Sequence, residues 1–428
     1  MKQLLHIPGT PGAARLWSHR DIRLVLPARA VSYAGDAIAL VALMLRVSDS
    51  GSGSGSTAGA GSGSATAAIT ALLLAFAVPT VVMIPFAGRI VDAYDSRRVL
   101  VWASLLQAAA GVGIAFSHGL AATLALVCVL QVGQAVAGPA WAALIPRIVG
   151  DDLVGQATGA SQALIGAATL AGSAAGGVLV GLSGDRIALL VDASTFLGLA
   201  VVARLVRTRR TPLPGAPKER GAMTAGLRSL FADHLLQVLV PALWVFILVG
   251  EAVNVMEVLL IRNEIGLGPT GYGLVLATQG AGAIAGAWYT GRLRSDLART
   301  RAVLAGTAAI GISCVLMGLA GGVVPLVIGA VAVGFGSGML NAATSTLVVT
   351  RSLDALRGRV VAAMSGTARA CSLVALLLGG VVGALVGPRA TFVGAGVLAV
   401  LCALVAAGLV ARRDVVRTKD SLVEGLSH

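Results

Sequence analysis

Few side chains in this sequence could do chemistry, and those few lie where charge is expensive. Asp36 interrupts an apolar stretch, 25–46, near its middle, and Glu251 interrupts another, 236–259, with Asn254 one helical turn further on. Arg29 and Arg369 also fall inside apolar runs, and Asp192 and Glu257 lie nearer the ends of theirs. An ionisable residue at bilayer depth costs about 2.5–3.5 kcal/mol on insertion scales, so each one needs a reason. Desolvation favours a neutral carboxyl and a neighbouring guanidinium favours the charged one. An Asp36 whose arginine partner comes and goes would therefore take up and release protons. The competing reading is a static buried pair, for instance with Arg369, that only fixes helix packing.

Arg29 shares a helical face with Asp36 but lies about 10 Å away along the axis, and its long stem can carry the charge to the cytoplasmic face instead. Glu251 and Asn254 are assigned to a polar cavity. Glu257 points to another side of the same helix and reads as a helix-end residue. Asp192 reads as a cap or a structural pair. Gln279 and Asn341, each inside an apolar stretch, serve either as cavity contacts or as interhelical hydrogen bonds. These groups suit binding and proton exchange. The sequence offers little for bond-making: the five histidines are isolated and the four cysteines sit singly in apolar runs. That leaves no disulfide framework and no metal-ligand spacing. No phosphate-cradling G-x-x-x-x-G-K-[ST] occurs. A membrane enzyme is accordingly disfavoured, and no cofactor is expected.

The elements that must hold these groups follow from composition. Hydrophobic residues make up 57% of the chain and charged residues 12%, against about 25% charged in soluble domains; mean hydropathy is +0.89. Lipid must solvate much of this surface. A net charge of +13 with only 4% aromatics points to basic loops facing anionic lipid and not to nucleic acid. Twelve stretches reach the roughly 20 residues that a bilayer requires. They run approximately 25–46, 67–87, 99–117, 120–144, 156–182, 187–206, 236–259, 271–290, 302–320, 323–349, 360–386 and 390–411. With both termini inside, 26 Lys and Arg residues face the cytoplasm and only Arg46, Arg186, Arg262 and Arg389 face outward, a strong positive-inside asymmetry. A multi-pass protein of the cell membrane with cytoplasmic ends is expected.

The chain repeats at an offset of 203 residues: Gly88-Arg89 falls on Gly291-Arg292, Arg98 on Arg301, Asp151 on Asp354, Gly184 on Gly387, and Arg186 on Arg389. Two six-helix halves in parallel orientation explain this. The domains are then a cytoplasmic N-terminus at 1–24, a first half at 25–206, a cytoplasmic linker at 207–235, a second half at 236–411, and a cytoplasmic C-terminus at 412–428. Pro212, Pro214 and Pro217 break helix at the start of the linker. Ser48 to Ser64, almost wholly Ser, Gly and Ala, has the composition of a flexible coil.

After the second stretch comes Gly88-Arg89-Ile90-Val91-Asp92-Ala93-Tyr94-Asp95-Ser96-Arg97-Arg98. It resembles the G-x-x-x-D-(R/K)-x-G-x-(R/K)-(R/K) loop of the major facilitator superfamily, with Ala93 in place of the first basic residue and Asp95 in place of glycine. Asp95, together with Ser32-Tyr33-Ala34-Gly35-Asp36, Asp192-Ala193-Ser194-Thr195-Phe196 and Leu356-Arg357-Gly358-Arg359-Val360, resembles the branch of macrolide and enterobactin exporters. The resemblance spans nearly the whole chain. On the residues alone, Gly88 would permit a left-handed helix end, Asp92 would accept at a neighbouring helix N-terminus, and Arg97 and Arg98 would pair with Asp92 or bind lipid phosphate. Contacts of that kind lock one conformer and must break in the other. The alternative is a turn that only sets topology.

Gly172-Ser173-Ala174-Ala175-Gly176-Gly177 resembles the G-P-x-x-G-G element of proton-coupled exporters, with Ser173 at the proline position. Plain close packing of Gly172, Gly176 and Gly177 explains the same residues. The resemblance implies a twelve-helix secondary transporter that exports a hydrophobic or amphiphilic small molecule, of drug, macrolide or siderophore type, against protons. It would use the proton gradient, meet membrane lipid, and act as a monomer. Uptake by the same fold, or a non-transporting receptor or anchor, is the alternative.

Overall fold

The computed structural model describes residues 16–52, 60–208, 228, 236–351 and 357–426. Most of the linker, residues 53–59 of the Ser/Gly-rich stretch, and Leu356 of the Leu356–Val360 motif lie outside the described residues. The described chain is helical throughout. The helices are α1 (Arg20–Ser52), α2 (Ala60–Ala93), α3 (Ser96–Phe116), α4 (Leu120–Val149), the tract Val154–Leu205, α7 (Leu236–Leu259), α8 (Pro269–Gly291), α9 (Asp296–Gly318), α10 (Val323–Arg351) and the tract Arg357–Leu426. The two long tracts break at Gly184 and Gly387, whose backbones leave helical values. They therefore supply α5 (154–183) and α6 (185–205), and α11 (357–386) and α12 (388–426).

Nine continuous described segments are long and apolar enough to cross a membrane, the two broken tracts among them. Backbone groups in lipid have no water to bond, so each spanning segment closes its hydrogen bonds internally. This is an all-α polytopic membrane fold. Large apolar side chains such as Leu182 and Leu385 stand on outer faces, 82% and 79% exposed, as a lipid solvent permits.

Two compact units emerge. The first comprises residues 1–47, 71–217 and 269–274, and the second 48–70, 218–268 and 275–428. In the first unit, Leu26, Leu100, Ala140, Trp141, Leu144, Ala157 and Ala203 form a continuous core across α1, α3, α4, α5 and α6. There α5 presses directly on α1: a Cβ added at Gly172 would lie 2.8 Å from Ala34 Cα, and one at Gly176 would lie 2.9 Å from Ile38 Cα. Small residues allow such backbone approach, and dispersion then holds the pair together. In the second unit α9 and α12 meet in the same manner, with Gly311 against the carbonyl of Gly396.

The internal repeat is visible as a shared loop device. Gly184 has φ 80° and ψ 168°, and Gly387 has φ 81° and ψ 172°, a region open essentially only to glycine. Two residues after each stands an arginine that reaches the end of a neighbouring helix. Arg186 Nε donates to Ala115 O at 3.3 Å. Arg389 Nη1 donates to Gly318 O at 3.4 Å and to Ala320 O at 3.1 Å. Ala115 and Gly318 are themselves 203 residues apart. The last carbonyls of a helix lack partners and carry negative partial charge, so a guanidinium suits them. Arg46 adds a bond to Ile114 O at 2.7 Å and pairs with Asp185, while Arg389 pairs with Glu264 at 2.8 Å.

Gly184→Ala and Gly387→Ala should each destabilise the protein by about 1–3 kcal/mol, because a Cβ is strained at those angles. Denaturant unfolding in detergent checks this, and unchanged midpoints in both variants would refute the loop assignment.

Candidate functional site

In the first unit α1 through α6 line a half-open cavity of about 390 Å³. Its walls are largely apolar, with Leu40, Leu43, Leu73, Phe76, Leu130 and Leu189 among them. Set into this lining are two carboxyls, Asp36 of α1 and Asp192 of α6, with Gln131 and Gln134 of α4, Tyr33 of α1, and Thr169 and Ser173 of α5. No arginine, lysine or histidine lines it among the described residues. Gln134 is held from behind: Gln107 Nε2 donates to its Oε1 at 2.9 Å, and Gln107 is fully buried.

Among the described residues Asp192 neither caps a helix nor pairs with a cation. It is 2% exposed, and its Oδ1 has no hydrogen-bond partner among the described residues. The expectation of a structural pair is thereby corrected. What places the side chain is Gly35: a Cβ there would stand 2.7 Å from Asp192 Oδ1 and 2.6 Å from Thr195 Oγ1. Asp192 thus occupies the space that any other residue at position 35 would need, beside the half-buried Asp36. The two carboxyls interact electrostatically. Like charges in a low-dielectric space repel strongly, so both carboxyls can be ionised at once only beside a positive charge.

Arg29 does not supply that charge. Its Nη1 donates to Ser161 Oγ at 3.1 Å, and its guanidinium lies 6.0 Å from the Tyr33 ring and 5.8 Å from the Trp141 ring. It lines a separate space of about 300 Å³ with Thr158, Ser161 and Gln162, where no carboxylate is present. Arg369 belongs to the second unit and is exposed. The ionisable neighbour of Asp36 on its own cavity is the acid Asp192 and not an arginine.

In the second unit Glu251 accepts hydrogen bonds from Ser372 Oγ of α11 and, at 3.2 Å, from Asn254 Nδ2. Glu257 lies in the last turn of α7, which a π-helical turn continues to Glu264, but it is not an exposed end residue. It is 4% exposed and accepts from Gln279 Nε2 of α8 at 3.3 Å, which makes Gln279 an interhelical contact. Asn341 is exposed and donates to Ser337 O of its own helix at 3.0 Å.

At the loop between α2 and α3, Gly88 does not end its helix. α2 continues to Ala93, and the positive-φ glycines among the described residues are others. The cap at the start of α3 is Asp95, the residue that departs from the family glycine: its Oδ1 accepts from Arg97 N at 2.8 Å. Asp92 is exposed. Arg97 Nη2 donates to Arg204 O at 2.5 Å, which ties α3 to the end of α6. Arg97 and Arg98 line a groove of about 360 Å³ with Trp102. Gly172 and Gly176 lie against α1, while Gly177 meets Pro269 and Gly273 of α8.

Sequence reasoning missed Asp192 and Glu257 as buried, polar-facing acids. The available signal was each acid's place within an apolar stretch, which end-of-helix arguments discounted.

A family described as transmembrane secretion effector matches residues 60–424. The MFS-type transporter YfiS of Bacillus subtilis (strain 168), itself uncharacterised, is 23% identical over 351 residues, covering 79% of this chain and 83% of that protein. The class G tetracycline resistance protein of Vibrio anguillarum is 29% identical over 301 residues, covering 67% of this chain and 74% of that protein. Among solved structures, the POT family transporter PepTSo superposes with a TM-score of 0.71 at 12% identity, covering 93% of this chain and 99% of that one. That likeness concerns the fold.

Gly35→Ala should push the Asp192 carboxyl out of its slot. We expect normal membrane insertion and a stability loss of about 1–3 kcal/mol from the added methyl. Transport should fall well beyond what that loss explains. Thermal stability and transport rate measured on one preparation check this, and full transport with a tolerated methyl would refute the positioning role.

Proposed function

The chain belongs to the transmembrane secretion effector family of major facilitator transporters, and from this premise we propose that it exports a hydrophobic or amphiphilic small molecule in exchange for protons. The observation behind this reading is a carboxyl, Asp36, set into a largely apolar cavity of drug-sized volume; sites for such ligands span about 300–1,000 Å³ and use few polar groups. A carboxyl in that setting binds and releases a proton according to whether another positive charge is near. Alternating access then converts downhill proton entry into uphill export.

The name of the tetracycline resistance relative and the secretion description of the family favour the outward direction. Substrates of drug, macrolide or siderophore type follow from the same resemblance. The distribution of Lys and Arg supports a cell-membrane protein with both termini cytoplasmic. In this reading Asp92, Arg97 and Arg98 act in the conformational switch, with Asp95 fixing the helix start from which Arg97 and Arg98 project. The exchange is carried out by one chain with lipid, substrate and protons as partners.

Vesicles that contain the protein and carry an imposed pH difference should concentrate at least one compound from a panel of dyes, macrolides and siderophores. A protonophore should abolish the gradient. Asp36→Asn should lose pH-driven accumulation by about tenfold or more while substrate exchange across the membrane survives, since exchange discharges no proton. Accumulation unaffected by the protonophore, or by the substitution, would refute proton coupling through Asp36.

A further inference from the structure

We infer that Asp36 and Asp192 together form a site for one organic monocation, an ammonium or phosphonium carried on an apolar body, and that this cation and a proton occupy the pair in turn. The inference rests on the antiport reading above and names its substrate class.

Charge is the first ground. Each helix around the cavity contributes to its wall, yet the ionisable groups facing it are Asp36 and Tyr33 from α1 and Asp192 from α6. The other helices contribute apolar, amide or hydroxyl side chains. Arg29, the basic residue nearest to Asp36 in sequence, is held in another space by Ser161 and two aromatic rings. Among the described residues, the lining of the cavity therefore offers acceptors and no counter-charge.

The second ground is an orphaned acceptor. Asp192 Oδ1 is buried without a hydrogen-bond partner among the described residues, in a side chain 2% exposed. A buried acceptor whose hydrogen bond is unmade is destabilising. Such a group persists where a ligand or proton satisfies it for part of a cycle.

Size is the third ground. A metal cation would need a compact shell of oxygens, whereas this cavity holds about 390 Å³ between mostly apolar walls. That space fits a cation whose charge is spread over, or attached to, a hydrophobic body. Phe76 and Tyr33 also line it, and aromatic faces attract organic cations.

The exchange balances. The empty pair holds a proton between two carboxyls, and an arriving organic cation replaces it. The proton leaves to solvent, and the charge of the site is unchanged. When the cation departs on the other side of the membrane, a proton returns.

Tetraphenylphosphonium and tetraphenylborate, nearly equal in shape and opposite in charge, separate this from hydrophobic binding alone. Binding of each to purified protein in detergent would be measured by calorimetry in buffers of different ionisation enthalpy, which counts protons released. We expect the phosphonium to bind at least about tenfold more tightly than the borate, to release about one proton, and to weaken as pH falls. Asp36→Asn and Asp192→Asn should each weaken phosphonium binding by about tenfold or more and remove the proton release. Asp192→Glu should restore part of both, which separates a charge effect from a folding defect. Equal binding of the two probes, absence of phosphonium binding, binding without proton release, or competition by sodium at constant ionic strength would each overturn the inference. Were it overturned while vesicles still concentrated panel compounds under a pH difference, the antiport reading would stand without this substrate class. Loss of pH-driven transport itself would remove the reading beneath it.

Discussion

Helix α1 can lie against α5 and α6 only because one partner at each contact point is a glycine. Gly172 and Gly176 bring the α5 backbone against Ala34 and Ile38, and Gly35 leaves the gap that the Asp192 carboxyl and the Thr195 hydroxyl fill. Within lipid no hydrophobic force drives helices together, so this close fit and its dispersion energy must hold them. The same fit decides the chemistry. The contact at Gly35 is also what places the Asp192 carboxyl on the same cavity as Asp36. Packing and site are here one constraint.

The two repeats share their framework and differ in their acids. Gly184 and Gly387 adopt the same rare conformation, and Arg186 and Arg389 reach carbonyls at the same offset of 203 residues. Those features satisfy helix ends, a need that both halves have. At the same offset from Asp36 and Asp192, however, stand Leu239 and Ala395. The second unit places its own acids elsewhere: Glu251 bonded to Ser372 and Asn254, and Glu257 bonded to Gln279. The carboxyls there have neutral donors as partners. In the first unit two carboxyls face one cavity, and Asp192 Oδ1 there has no partner. The two units therefore differ in side chains laid over a duplicated scaffold.

Much of the scaffold was legible in the sequence because the bilayer imposes a simple rule on it. A segment must be apolar for about 20 residues and close its own backbone bonds, so spans and repeat can be read from composition. Asp36 was legible for the same reason, as a charge inside an apolar run. Its neighbour was not. Spacing along one helix locates only residues on that helix, and it offered Arg29, which lies instead between Tyr33 and Trp141. Asp192 comes from a helix more than 150 residues on, and only the bare backbone at Gly35 brings it near. The loop before α3 failed in a more local way. A departure from the family pattern, Asp95, reads as a loss in the motif, yet an aspartate at that place is a good helix cap and serves as one.

Whether Asp36 and Asp192 act as one unit is measured most directly by a double-mutant cycle in unfolding free energy. Asp36→Asn, Asp192→Asn and the double variant would be unfolded at one fixed pH in the same detergent. If the two carboxyls share one charge, the effect of the second substitution depends on whether the first is present, and the cycle closes with a coupling of about 0.5–3 kcal/mol. Additive effects, agreeing within about 0.3–0.5 kcal/mol, would show two independent residues and contradict the account.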